Sequence, residues 1–300
     1  MNHLQELTEF PKEHDFFIGV DSDGCAFDTM EIKHKECFIP NTVNVWDLQP
    51  VSRFAREAAE FINLYSVHRG CNRFIAQELL FDMLDDWDEV RQRGYKSPDI
   101  TSLRNWLKEE SRLSSATLQT TVAETDDPIL HKALEWSDAV NESVEKIVRN
   151  CPPFPFVRES LQDVSERADV IVCSSTPHDA LQREWEEHDL AQYVGKICGQ
   201  EQGSKKEHLK YCTNGRYEPE KVLMIGDAPG DMRAAQDNGF LYYPINPGHE
   251  ADSWKRFHEE AAERFFTGRF AGEYQQKVID EFLACLPERP PWKDSGCCCG

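Results

Sequence analysis

Two aspartates stand two residues apart in Asp21-Ser22-Asp23-Gly24-Cys25-Ala26-Phe27-Asp28-Thr29, directly after the apolar run Phe16–Val20. Carboxylates at that spacing on a loop can divide a reaction between them. Asp21 can attack an electrophile and carry it as a covalent acyl intermediate. Asp23 can protonate a leaving oxygen and later take a proton from water. Gly24 lets the backbone turn sharply beneath a ligand. A second acidic set, Gly226-Asp227-Ala228-Pro229-Gly230-Asp231, follows the apolar run Val222–Ile225. Its carboxylates can share a cation with Asp21, and hard oxygen donors with room for water favour Mg2+ over zinc. Ser174 and Ser175 follow a third apolar run, Val170–Cys173, where a hydroxyl and backbone N–H groups can hold phosphate oxygens. Ser204 suits a helix N-cap, which puts Lys205 at a helix start with its ammonium free to pair with Asp21. Lys206 and Lys210 compete for that role.

These groups need a scaffold that brings distant stretches together. Short apolar runs bounded by polar sequence predict buried strands at Phe16–Val20, Val170–Cys173 and Val222–Ile225, with weaker ones at Val194–Cys198 and Phe240–Tyr243. Helical patterns at 155–168, 179–191 and 204–212 alternate with the later strands. The fold class is therefore α/β: a Rossmann-like parallel sheet whose ligand edge lies at the strands' carboxyl ends. Between the first and second strands the sequence is helical throughout, with patterns over 51–68, 72–93, 103–113 and 129–148. Their aromatic stripes read as packing. The Pro-rich Cys151–Pro155 cannot be regular helix and predicts a hinge. The expected layout is an α/β core at 1–35 and 151–300 and an inserted all-helical cap domain at 36–150.

The order of the four groups resembles that of the haloacid dehalogenase-like (HAD) superfamily hydrolases with a helical cap inserted after the first motif. The resemblance implies that Asp21 is the nucleophile and Asp23 the acid/base, whose main-chain carbonyl also binds Mg2+. It implies that Ser174 binds phosphate, that Lys205 is the third motif's lysine, that Asp227 binds the metal and that Asp231 supports it. Asp28 and Thr29 match the end of the first motif; Cys25 stands where the family often has Thr. Dehalogenases of the superfamily lack the second aspartate, so Asp23 implies a phosphatase acting on a phosphate monoester. A phosphomutase of the same superfamily is the nearest alternative, and a non-catalytic binding protein a more distant one. In the cap segment Ser66–Phe74, Arg69 and Arg73 are candidates for contact with the substrate's leaving group or a second anionic group.

Composition narrows the partners. The 300 residues carry 33 Lys and Arg against 54 Asp and Glu, a net charge of −21. Such a surface repels phosphate backbones and anionic lipid, so the expected partner is a small phosphorylated metabolite, with no nucleic acid and no membrane. Oligomeric state is left open. The N-terminal residues have no basic region followed by an apolar stretch, so the eleven cysteines read as cytosolic thiols. The terminal run Cys297–Cys299 reads as a solvated tail.

Overall fold

The computed structural model describes residues 3–294, and the Cys297–Cys299 run lies outside them. The chain divides into two compact units, one of residues 1–29 and 150–285, the other of residues 30–149 and 286–300.

The first unit is built on five strands: β1 (Phe16–Val20), β2 (Ala168–Cys173), β3 (Lys196–Cys198), β4 (Val222–Gly226) and β5 (Leu241–Pro244). They form one parallel sheet in the order β3-β2-β1-β4-β5. All five fall where the apolar runs predict them. A parallel sheet is covered on both faces, so its strands are apolar without alternation; every residue of β2 and β4 is buried. Ile18, Val20, Val170, Val172, Leu223 and Ile225 share one core with Val157, Leu161 and Val164 of the helix Val157–Ser165. Each such aliphatic side chain contributes roughly 1.5–3 kcal/mol relative to exposure. The tail helices join the same core through Trp254, Phe257, Phe265 and Val278.

Register decides where chemistry can occur. β1 is central, with Val20 beside Val172 of β2 and Ile225 of β4. The three loops that follow these residues therefore start side by side. The chain leaves this unit after Thr29 and returns at 150. Here Phe27 bridges Pro153 antiparallel, Asp28 N donates to Pro152 O at 3.3 Å, and Phe154 N donates to Ala26 O at 3.0 Å. The Pro-rich return is thus pinned to the outgoing strand by backbone bonds.

The second unit is helical, and its core gathers Ile39, Phe54, Ile62, Phe74, Leu84, Trp87, Leu103 and Trp136. The aromatic stripes do pack inward, except Tyr65, which is exposed. The single pattern over 72–93 breaks into Arg73–Asp85 and Asp88–Gln92. Ser115–Thr125 is a helix the sequence reading did not anticipate, started by a Ser114–Thr117 capping box. Apart from a one-residue shift at the return, the boundaries differ from the expected ones at two places. The helical unit begins at Met30 rather than 36, and residues 286–294 join it rather than the α/β core. Trp292 explains the second difference: its ring stacks on Trp87 at 4.1 Å with a 5° interplanar angle, and Lys293 pairs with Asp86. Among the described residues no helix is long and apolar enough to cross a membrane.

Candidate active site

Asp21 is the first residue beyond β1 and is only 5 % exposed. Its backbone N–H still donates to Ile225 O of β4 at 2.9 Å, so the strand pairing itself holds the residue. Its Oδ1 accepts from the Ser22 amide at 2.8 Å and its Oδ2 from Lys205 Nζ at 2.6 Å. The loop then closes tightly: Gly24 N donates to Phe27 O at 2.9 Å, and Gly24 has φ +72°, a conformation that favours glycine. Two tryptophans grip this loop. Trp254 Nε1 donates to Cys25 O at 2.7 Å and Trp185 Nε1 to Ser22 Oγ at 3.0 Å.

Lys205 opens the helix Lys205–Thr213, which Ser204 caps reciprocally with Glu207. The ammonium donates to Asp21 Oδ2 and to Asp231 Oδ1, each at 2.6 Å. Of the three competing lysines it is the one that reaches Asp21; Lys206 pairs instead with Asp237 at the surface. Asp227, 1 % exposed, follows β4, and Asp231, fully buried, lies in the first turn of the helix Pro229–Gln236. Asp231 Oδ2 accepts from the Ala228 amide at 3.1 Å. With Oδ1 on Lys205, this carboxylate braces the loop and the lysine together. The packing requires glycine at 226, because a Cβ there would lie 2.4 Å from Asp231 Cβ.

Asp21, Asp227 and Asp231 each offer a carboxylate oxygen within 4.8 Å of the others. Three buried carboxylates thus lie together, two of them on one ammonium, and burial of carboxylates in excess of cations is costly. The donors are all oxygen, which suits a hard divalent ion. The electrostatics follow. Burial pushes the Asp21 carboxyl well above the usual carboxylate range, with Asp231 and Asp227 adding to the effect and Lys205 opposing it. Burial works against the charged form of Lys205 too, but Asp21 and Asp231 outweigh it and hold the ammonium well above its ordinary value. The Cys25 thiol is pushed up by burial and by Asp227, so it remains a small apolar packing group.

Asp23 sits outside the acidic cluster. Its Oδ1 accepts from Thr29 Oγ1 at 2.6 Å and its Oδ2 from Thr176 Oγ1 at 2.7 Å. Ser174 is buried after β2; its amide donates to Cys198 O at 3.0 Å and its Oγ accepts from the Thr176 amide at 3.2 Å. Ser175 is exposed. Sequence reasoning missed Thr176 as a partner of Asp23. The hydroxyl run Ser174-Ser175-Thr176 was the available signal. It also missed the Ser22, Glu184 and Trp185 contacts, for which no local pattern gave a hint.

Arg69 and Arg73 belong to the helical unit, and both make hydrogen bonds within it. Arg69 is 4 % exposed and its Nη1 donates to Leu64 O at 2.9 Å. Arg73 Nη1 donates to Ser137 Oγ at 3.0 Å and Asn141 Oδ1 at 2.8 Å, with the Phe38 ring 5.0 Å from its guanidinium. The Arg73 bonds tie the helix Arg73–Asp85 to the helix Pro128–Ile147, and the Arg69 bond ties the turn to the end of the helix Ser52–Leu64.

The family model for haloacid dehalogenase-like hydrolases matches residues 88–242, just over half of the chain. The chain is a haloacid dehalogenase-like hydrolase. The matched segment carries Ser174, Lys205, Asp227 and Asp231, while Asp21 and Asp23 lie upstream and are joined to it by the pairing of β1 with β2 and β4. No curated protein matches the chain. Solved structures similar to this hydrolase include a haloacid dehalogenase-like family hydrolase from Streptococcus pneumoniae, with 14 % identity over 82 % of this chain and 91 % of that one, TM-score 0.44. A HAD-superfamily hydrolase from Ehrlichia chaffeensis has 17 % identity over 82 % and 97 %, TM-score 0.38. A protein assigned as a phosphoglycolate phosphatase from Lactobacillus delbrueckii has 15 % identity over 86 % and 100 %, TM-score 0.48. Likeness at this level adds nothing to the family assignment.

Proposed function

We propose that this hydrolase is a phosphatase that cleaves a small phosphate monoester through an aspartyl-phosphate on Asp21. The observation that carries the reading is the convergence of a buried carboxylate, Asp21, on Lys205 at 2.6 Å and on two further acids, with a second aspartate two residues along the same loop. Binding alone has no need of both a nucleophile and an acid/base.

Phosphoryl transfer depends chiefly on positioning and charge neutralisation. A carboxylate oxygen of Asp21 attacks phosphorus as the bond to the leaving oxygen breaks, and Asp23 gives that oxygen a proton. Asp23 then takes a proton from water, which attacks the aspartyl-phosphate; inorganic phosphate leaves and Asp21 is restored. Lys205 holds Asp21 in place and offsets phosphate charge. Ser174 and the amides after β2 offer hydrogen bonds to phosphate oxygens, and Gly24 leaves the backbone open beneath them. Asp21 and Asp227, with the Asp23 carbonyl, would hold Mg2+, which when bound supplies further neutralisation of the transferring group. Asp231 serves it indirectly, by fixing Lys205. The helical unit inserted after Thr29 is proposed to act as the cap that supplies substrate selectivity.

Release of inorganic phosphate from para-nitrophenyl phosphate tests the reading. Wild-type protein releases it with Mg2+ and not with excess chelator. Asp21→Asn lowers the rate by more than about 10³-fold while keeping the thermal transition. Equal rates in wild type and Asp21→Asn would remove Asp21 from the mechanism. An isomerised sugar phosphate without net phosphate release would favour the phosphomutase.

A further inference from the structure

The residue between the two aspartates is Ser22, a hydroxyl with no accessible surface. Its Oγ donates to Glu184 Oε2 at 3.0 Å and accepts from Trp185 Nε1 at 3.0 Å. The direction of these bonds follows from chemistry: an indole N–H can only donate, so the hydroxyl proton goes to the carboxylate. Both partners lie on the helix His178–Glu187 that follows β2, and Trp185 also packs edge-on against Phe27 at 5.5 Å, at the far end of the same loop. The main chain of Ser22 has its own duties. Its N–H donates to Asp21 Oδ1 at 2.8 Å, and its carbonyl accepts from the amides of Ala26 and Phe27 at 2.9 and 3.0 Å. Ser22 is thus fixed at both side chain and backbone, and its N–H holds one oxygen of the Asp21 carboxylate.

We propose that Ser22 and Glu184 are positioning residues for the nucleophile. The Glu184–Ser22 bond fixes the rotation of the peptide joining Asp21 to Ser22, and that peptide's N–H aims Asp21 Oδ1. Lys205 holds the other oxygen, so the carboxylate is located at two points by two separate elements, one of them a helix that carries no residue of the acidic cluster. An apolar residue at 22 could fill the space but could not set this rotation. The inference rests on Asp21 acting as the nucleophile.

Steady-state kinetics on para-nitrophenyl phosphate with saturating Mg2+ test it. Ser22→Ala and Glu184→Leu each lower kcat about 10- to 100-fold, the scale of a small misplacement of a reacting group, with KM within about 2-fold of wild type. Glu184→Gln keeps an acceptor oxygen and stays within about 3-fold of wild-type kcat. The losses in Ser22→Ala and Glu184→Leu do not add in the double variant, because both remove the same Ser22–Glu184 bond. Wild-type kcat in Ser22→Ala or Glu184→Leu overturns the proposal, and so does an equal loss in Glu184→Gln and Glu184→Leu. If Ser22→Ala does not fold, the Glu184 pair carries the test. A wild-type protein with no phosphatase activity would instead sink the proposed function, and the two failures are therefore distinguishable.

Discussion

The two units each bury cations, and they use them differently. In the α/β unit Lys205 meets two carboxylates, and a third stands within 4.8 Å of both. In the helical unit Arg73 meets a hydroxyl, a carbonyl and an amide, all neutral. Burial lowers its guanidinium to about 10, with Asp138 opposing the shift. A cation outnumbered by acids leaves negative charge over, which can attract a divalent cation. A cation among neutral acceptors is a cross-link between helices. Burial of an arginine or lysine therefore says little about function until its partners are known.

Substitutions can break or sharpen this contrast. The largest effect after that of Asp21→Asn is expected at Lys205. Lys205→Met leaves Asp21 and Asp231 buried without their counter-charge, which costs about 3 kcal/mol or more. Activity falls with stability, since Asp21 loses the partner on Oδ2. Denaturant unfolding in metal-free buffer reads the first effect and phosphate release the second. A variant as stable as wild type would mean that the acids do not depend on the lysine.

A pH titration sharpens the contrast within the Lys205 helix. His208 is buried there, and burial lowers its pKa from 6.5 to about 4. Below 6.5 the unfolded chain takes up a proton on this ring that the folded chain refuses. Stability is therefore full above 6.5, falls as pH drops toward 4, and levels off below that. The loss attributable to this group is about 2–3 kcal/mol, read by urea unfolding at pH 7 and 4.5. His208→Asn should lessen the pH slope by roughly one proton; an unchanged slope would show that the ring does not remain neutral.

The smallest effect is expected in the helical unit. Arg73→Met removes a helix cross-link and costs about 1–2 kcal/mol, with kcat and KM within about 2-fold of wild type. A raised KM without a stability change would reverse the reading and return Arg73 to the substrate.

The residues proposed to do chemistry are legible in the sequence without the fold. Asp21, Asp23, Ser174, Asp227 and Asp231 each stand just past an apolar run, and apolar runs of that length with turn residues after them are locally encoded. Lys205 was visible only as one of three, since a helix start can present any of them. Thr176 is not legible as a partner of Asp23, because 153 positions separate the two. Trp292 gave no sign that residues 286–294 would join the helical unit, since its stacking partner lies two hundred residues earlier.

The sequence by itself determined the elements and the chemical groups at their ends, because hydrophobic period, glycine, proline and capping residues act over a few positions. Only the tertiary structure decided the partners. The order β3-β2-β1-β4-β5 brings Lys205 across 184 positions onto Asp21, and the helix after β2 brings Glu184 and Trp185 onto Ser22. Such pairings depend on which strands lie side by side and in what register, and that is fixed by the packing of the whole core rather than by any one segment of it.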